Sequence, residues 1–61
     1  MYTLEGVDGN AFAIMGYTIQ ALKQTGHADL VDDMHKRATN GDYENLICVC
    51  QKYLDIANGE A

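Results

Sequence analysis

A chain of 61 residues carrying nine acidic and four basic side chains, net charge −5, lacks the field of Lys and Arg that displaces counterions from DNA or RNA or binds an anionic membrane. It is the length of one small domain, which buries only about 60% of its unfolded surface and needs regular packing, a staple or a second copy to be stable. The two cysteines, Cys48 and Cys50, supply no staple, because residues two apart on a helix point to different sides; unpaired thiols fit a reducing cytoplasm.

No stretch of about 18 apolar residues is present, which excludes a transmembrane helix, and Met1-Tyr2-Thr3-Leu4-Glu5 lacks the basic region and apolar run of a signal peptide. Tyr2 and Leu4 alternate with Thr3 and Glu5, as in a stub of strand or an extended arm. Gly6 and Gly9 then favour a turn. Asp8 or Asn10 caps the next helix; with Asp8 as cap, Val7 is placed to act as a hydrophobic staple.

The apolar spacing predicts a first helix over Asn10 to Gln24. Phe12, Met15, Ile19 and Leu22 make one face, Ala11, Ile14 and Ala21 an adjacent one, and Ala13 and Tyr17 a third. A helix so apolar all round is buried on more than one side, and in so short a chain a neighbouring subunit supplies one of those sides. Gly16 inside it costs about 1 kcal/mol against Ala; either a close helix crossing or the approach of a ligand to the backbone accounts for it.

A second helix is predicted over Ala28 to Thr39, with Leu30, Val31, Met34 and Ala38 inward. Its Asp29, Asp32 and Asp33 come early and its Lys36 and Arg37 late, which complements the helix dipole and reads as a solvated face. A third helix over Tyr43 to Ala57 is capped by Asp42, whose carboxylate is expected to take the N–H groups of Glu44 and Asn45. Its inward face is Tyr43, Leu46, Ile47, Cys50, Leu54 and Ala57, widened by Val49, Tyr53 and Ile56. Gly26, Gly41 and Gly59 follow the three helices at the C′ position, and Glu60-Ala61 is a frayed end. The expected fold is all-α: a small three-helix bundle with a short N-terminal arm, forming a homo-oligomer.

No catalytic constellation is visible, and the chain has no Ser and no Trp. His27 and His35 lack a third ligand at metal spacing; His35 lies three residues from Asp32, in reach of an ion pair. Cys48 and Cys50 read as small buried or half-buried hydrophobes, although Lys52 is four residues from Cys48. No cofactor or metal is implied.

The tyrosines allow two readings. Tyr17, Tyr43 and Tyr53 fit core edges with wet hydroxyls; alternatively, with Tyr2, they stack on a flat ligand such as a nucleobase. Asn10 and Asn45 lie in the first turns of apolar helices, where spare N–H groups attract anions. The candidate ligand-binding set is Asn10, Phe12, Tyr17, Lys23, Arg37, Tyr43 and Asn45, with Thr18 and Lys52 as further polar neighbours.

Two stretches carry a resemblance: Asp8-Gly9-Asn10-Ala11-Phe12 with Met15-Gly16, and Ala38 through Leu46. They are similar to a family of small proteins carried by bacteriophages and prophages, which read approximately D-G/N-N-A-F and later A-x-S-G-D-Y-D-N/H-L-L. Asn40 stands here for the usual Ser, Glu44 for Asp and Ile47 for Leu. The resemblance runs from about Leu4 to Asn58. It implies a small helical protein in a bacterial cytoplasm and brings no established activity. By class, phages use small oligomeric helical proteins to sequester the nucleotide signals of bacterial immunity, so one expectation is such a sponge with its pocket between subunits. The alternative is an acidic interaction module that inhibits a host defence protein, or a purely structural accessory subunit.

Overall fold

The computed structural model describes residues 1–60; Ala61 lies outside the described residues. Three α-helices follow an N-terminal arm: α1 (Ala11–Gln24), α2 (Val31–Ala38), which is entered through a 3-10 turn at Ala28–Leu30, and α3 (Tyr43–Ala57). Helices α1 and α3 run parallel. The Tyr43 hydroxyl donates to the Gly9 carbonyl at one end, and Tyr2 links Gln24 and Asn58 at the other. Helix α2 returns between them, so the chain is an up-down-up bundle.

The core is Ile14, Met15, Leu22, Met34, Ala38, Leu46, Cys50 and Tyr53, with fully buried Leu54 and Ala21 beside it. The inward faces expected of α2 and α3 are largely those observed, with Leu30, Val31, Ile47, Val49, Ile56 and Ala57 partly buried around the centre, except Tyr43, which is 50% exposed because its hydroxyl reaches out to the Gly9 carbonyl. The inward face of α1 differs. Its buried positions are Ile14, Met15, Thr18, Ala21 and Leu22, and Phe12, grouped by spacing on one face with Met15, Ile19 and Leu22, is 80% exposed. The stripe rotated because Thr18 is buried at its middle. Its hydroxyl donates to the Ile14 carbonyl at 2.9 Å, so a side chain that looks polar in the sequence enters the core already satisfied.

Rotation of α1 also moves Gly16. It is exposed, and a Cβ built there meets nothing within 4 Å. No helix of this chain crosses it, so close packing inside the bundle is not its reason. Gly26 and Gly59 do end α1 and α3 with positive φ. After α1 the His27 N–H bonds the Leu22 carbonyl at 2.7 Å; after α3 the Glu60 N–H bonds that of Asp55 at 2.8 Å, so Glu60 is tied to the helix and not frayed. Both are Schellman closures.

Gly41 serves another purpose. Its φ is not positive, and a Cβ there would lie 2.9 Å from Asn45 Cβ and Cγ. Asn45 is packed this close because its side-chain amide donates to the Arg37 carbonyl at 2.9 Å and the Ala38 carbonyl at 3.4 Å, closing the open end of α2. Its backbone N–H is taken by Asp42 Oδ1 at 3.0 Å, and no matching bond forms from Glu44. The Gly41-Asp42-Tyr43-Glu44-Asn45 stretch is thus a two-way cap that fastens α2 to α3.

The arm is irregular, not a strand. Asn58 holds it by two bonds of 2.8 Å: the Tyr2 N–H donates to Asn58 Oδ1, and Asn58 Nδ2 donates to the Tyr2 carbonyl. Thr3 N–H donates to the Tyr17 hydroxyl at 3.1 Å, and the Tyr2 and Tyr17 rings meet edge to face at 6.0 Å. Leu4 and Val7 pack against the core.

Gly41→Ala should therefore cost about 1–3 kcal/mol, the usual penalty for forcing a methyl into a filled space, as measured by urea denaturation. A cost near zero would mean that Asn45 has room to move and that the two-way cap is loose.

Candidate functional site

The Asp8–Phe12 turn and the start of α3 at Tyr43 meet at the end of the bundle where α1 and α3 begin. Asp8 Oδ1 accepts the Asn10 N–H at 2.8 Å. Asn10 Oδ1 accepts from Phe12 at 2.8 Å and Ala13 at 3.4 Å, and so caps α1. Tyr43 reaches across from α3 to the Gly9 carbonyl. The ring of Tyr43 is 50% exposed, and Phe12 stands clear of the surface a few residues on. This end therefore presents two aromatic faces, while its polar groups are bonded to one another.

The candidate residues divide into groups. Asn10, Phe12 and Tyr43 share this end. Asn45 lies in the first turn of α3, with its amide committed to α2. The spare N–H groups expected to attract an anion are met by Asn10 in α1 and Asp42 in α3. Tyr17 lies under the arm, its hydroxyl accepting from Thr3. Lys23 is exposed in the last turn of α1. Arg37 is on α2, where its Nε pairs with Asp33 Oδ2 at 3.4 Å on an exposed surface; such a pair contributes at most about 1 kcal/mol. Asp33, Lys36, Arg37 and Asn40 line an open groove of about 370 Å³. The seven candidates thus do not converge on one cavity of a single chain.

Tyr53 is buried, and its hydroxyl donates to Asp33 Oδ2 at 2.7 Å. Among the described residues every buried side-chain nitrogen and oxygen has a hydrogen-bond partner, and no trio of His, Cys, Asp or Glu is placed to hold a metal ion. No ion pair forms between His35 and Asp32. Cys50 is buried, as expected, but Cys48 is exposed, because Cys48 falls on the outer side of α3.

The sequence predicts a neighbouring subunit against α1 without saying on which side; the outer side carries Phe12, Gly16 and Lys23, flanked by Ala13 and Gln20, with Ile19 at its edge packed against the core. Phe12, Gly16, Gln20 and Lys23 are exposed and Ala13 and Ile19 are half-buried. The signal for it was present. Thr18 lies four residues from both Ile14 and Leu22 and centres their stripe, leaving Phe12 on the opposite side.

No family model, curated protein or solved structure matches the chain. No helix among the described residues is long and apolar enough to cross a membrane.

Burial pushes the Cys50 thiol above the ordinary thiol range, with a hydrogen bond to Thr18 pulling partly back. Burial, then the bond to Asp33, pushes the Tyr53 phenol up. The folded chain thus keeps these protons to higher pH than the unfolded chain. Their stabilisation is complete below the ordinary values and is lost as pH rises through the raised ones. Stability should fall from about pH 8.5 upward. In Cys50→Ala, urea midpoints measured across this range should start lower and fall less steeply; an unchanged slope would remove Cys50 as a cause.

Proposed function

We propose that this chain is a small binding protein that assembles with copies of itself and sequesters a flat, nucleotide-like signalling molecule between them. The observation that carries this reading is the pair of exposed rings, Phe12 and Tyr43, at the end of the bundle where the Asp8–Phe12 turn meets the start of α3. Aromatic faces stack on any base, at roughly 1–3 kcal/mol per base. Within one chain the two rings line no cavity, so a second copy closes the site. Lys23, Lys36, Arg37 and Lys52 are all exposed, with Arg37 paired to Asp33, and of these Lys23 and Arg37 are the ones assigned to a phosphate. The setting is that of the phage-borne proteins the chain resembles, the cytoplasm of a bacterial host, where removing a nucleotide signal silences a defence.

A panel of cyclic and linear nucleotides tests this by thermal shift. A ligand at a hundred times its dissociation constant should add roughly 2.7 kcal/mol of stability. Tyr43→Ala should abolish the shift. A panel with no shift at any concentration sinks the reading.

A second reading is favoured by the acidic face. Asp29, Asp32 and Asp33 are all exposed, and the only ion pair among the described residues joins Asp33 to Arg37. A face with so much unpaired charge suits docking on a basic surface of a host protein. Such a complex forms at low salt and dissociates at high salt. Asp29→Asn with Asp32→Asn should weaken capture from host lysate severalfold at low salt; equal capture by the variant would dismiss the acidic face.

A further inference from the structure

Two features of α1 have no explanation within a single chain. Phe12 is 80% exposed, and four residues later Gly16 is exposed with open space where a Cβ would stand. A protruding ring and a glycine that lets a backbone approach lie on one stripe. The charge distribution points the same way. All nine acidic side chains lie outside α1, whose only charged residue is Lys23, so α1 is the face on which two copies of a chain of net charge −5 repel least. Depletion of charge is also what distinguishes the centre of an interface.

We propose that two copies of this chain meet through the outer face of α1, antiparallel across a two-fold axis that passes beside Gly16. A two-fold contact is isologous, so every pairing occurs twice. The register that sets Phe12 against Ile19 of the second copy brings the two Gly16 turns together at the crossing. It also sets Lys23 against Asp8 of the second copy. Asp8 is exposed and lies just before the cap of α1, so the one cation of the stripe meets an acid from the opposite end. The glycine lets the backbones approach, the Phe and Ile rows fill the flanks, and the two ion pairs fix the antiparallel direction.

This inference rests on the proposed sequestration for its purpose only: it seats Phe12 in the contact between copies, leaves Tyr43 as the ring open to a ligand, and is tested separately from the ligand. Sedimentation velocity of the nucleotide-free protein, up to millimolar concentration, should show a monomer–dimer equilibrium. Phe12→Ser and Gly16→Ala should each raise the dimer dissociation constant at least roughly tenfold, or about 1.4 kcal/mol. Gly16→Ala should at the same time raise the melting temperature of the dilute monomer, because Ala is the better helix former and the space is open in a single chain. Lys23→Asp should weaken the dimer, and adding Asp8→Lys should restore it. A wild-type monomer at every concentration overturns the interface, as does a dimer indifferent to Phe12 and Gly16, or a trimer or larger ring. A dimer with these dependences and no nucleotide shift would leave the interface standing and remove the ligand. A monomer that still shows a nucleotide shift would overturn the interface and place the ligand on a single chain.

Discussion

The hydrogen bond from the Thr18 hydroxyl to the Ile14 carbonyl sets the orientation of the whole first helix. A free hydroxyl at the centre of the core would cost a few kcal/mol; one bonded a turn back costs far less and leaves its methyl to pack. With Thr18 fully buried, Ile14, Met15, Ala21 and Leu22 must face inward with it, and Phe12 and Gly16 must face out. Thr18 and Cys50 are both fully buried, which puts the middle of α1 and the middle of α3 in the same core. These two helices run side by side in the same direction, and their shared seam is the core.

The rest of the bundle follows from how the ends of that parallel pair are closed. At the end where they begin, Asn10 and Asp42 cap their own helices and Tyr43 ties α3 to the turn before α1. At the other end Asn58, the last-turn cap of α3, offers both its amide groups to the backbone of Tyr2. The arm then lies across α1, with Tyr2 bonded to Gln24 and Thr3 to Tyr17. In a domain with so small a core, an arm that brings Leu4 and Val7 onto the apolar cluster adds burial that three short helices alone lack.

Much of this was legible in the sequence, and the failures have specific causes. Helix count, order and most of the inward residues of α2 and α3 follow from apolar spacing, because those helices have apolar residues on one side and charges on the other. Helix α1 has almost no charges to mark its outside, so its rotation depended on one threonine whose side chain is self-satisfied, and spacing alone grouped Phe12 with Met15, Ile19 and Leu22, which pack on the core without it. The glycine stops were right for Gly26 and Gly59. They failed at Gly41, whose role is room for Asn45, because a close approach between residues on two sides of a turn leaves no pattern along the chain. The N-terminal arm itself was expected, but where it docks was beyond reach, since its partners Asn58 and Tyr17 are distant in sequence. Of the candidate ligand residues, Asn10, Tyr17 and Asn45 were chosen for polar groups that the fold has already committed to caps and to the arm.

That commitment narrows what the outside of the molecule has to offer. Nearly every local choice in this chain agrees with the bundle: caps, helix ends, buried hydroxyls and core residues each have a partner. Phe12 and Gly16 do not. Leaving a Phe side chain in water forgoes roughly 1.5–3 kcal/mol of burial, and an exposed glycine in a helix interior costs about 1 kcal/mol more than alanine. For a domain of this size such losses are a large part of the margin between folded and unfolded. Inconsistencies of this kind are expected at positions that serve something outside the fold. These two lie one helical turn apart on one stripe of one helix, so a single partner laid along α1 would account for both.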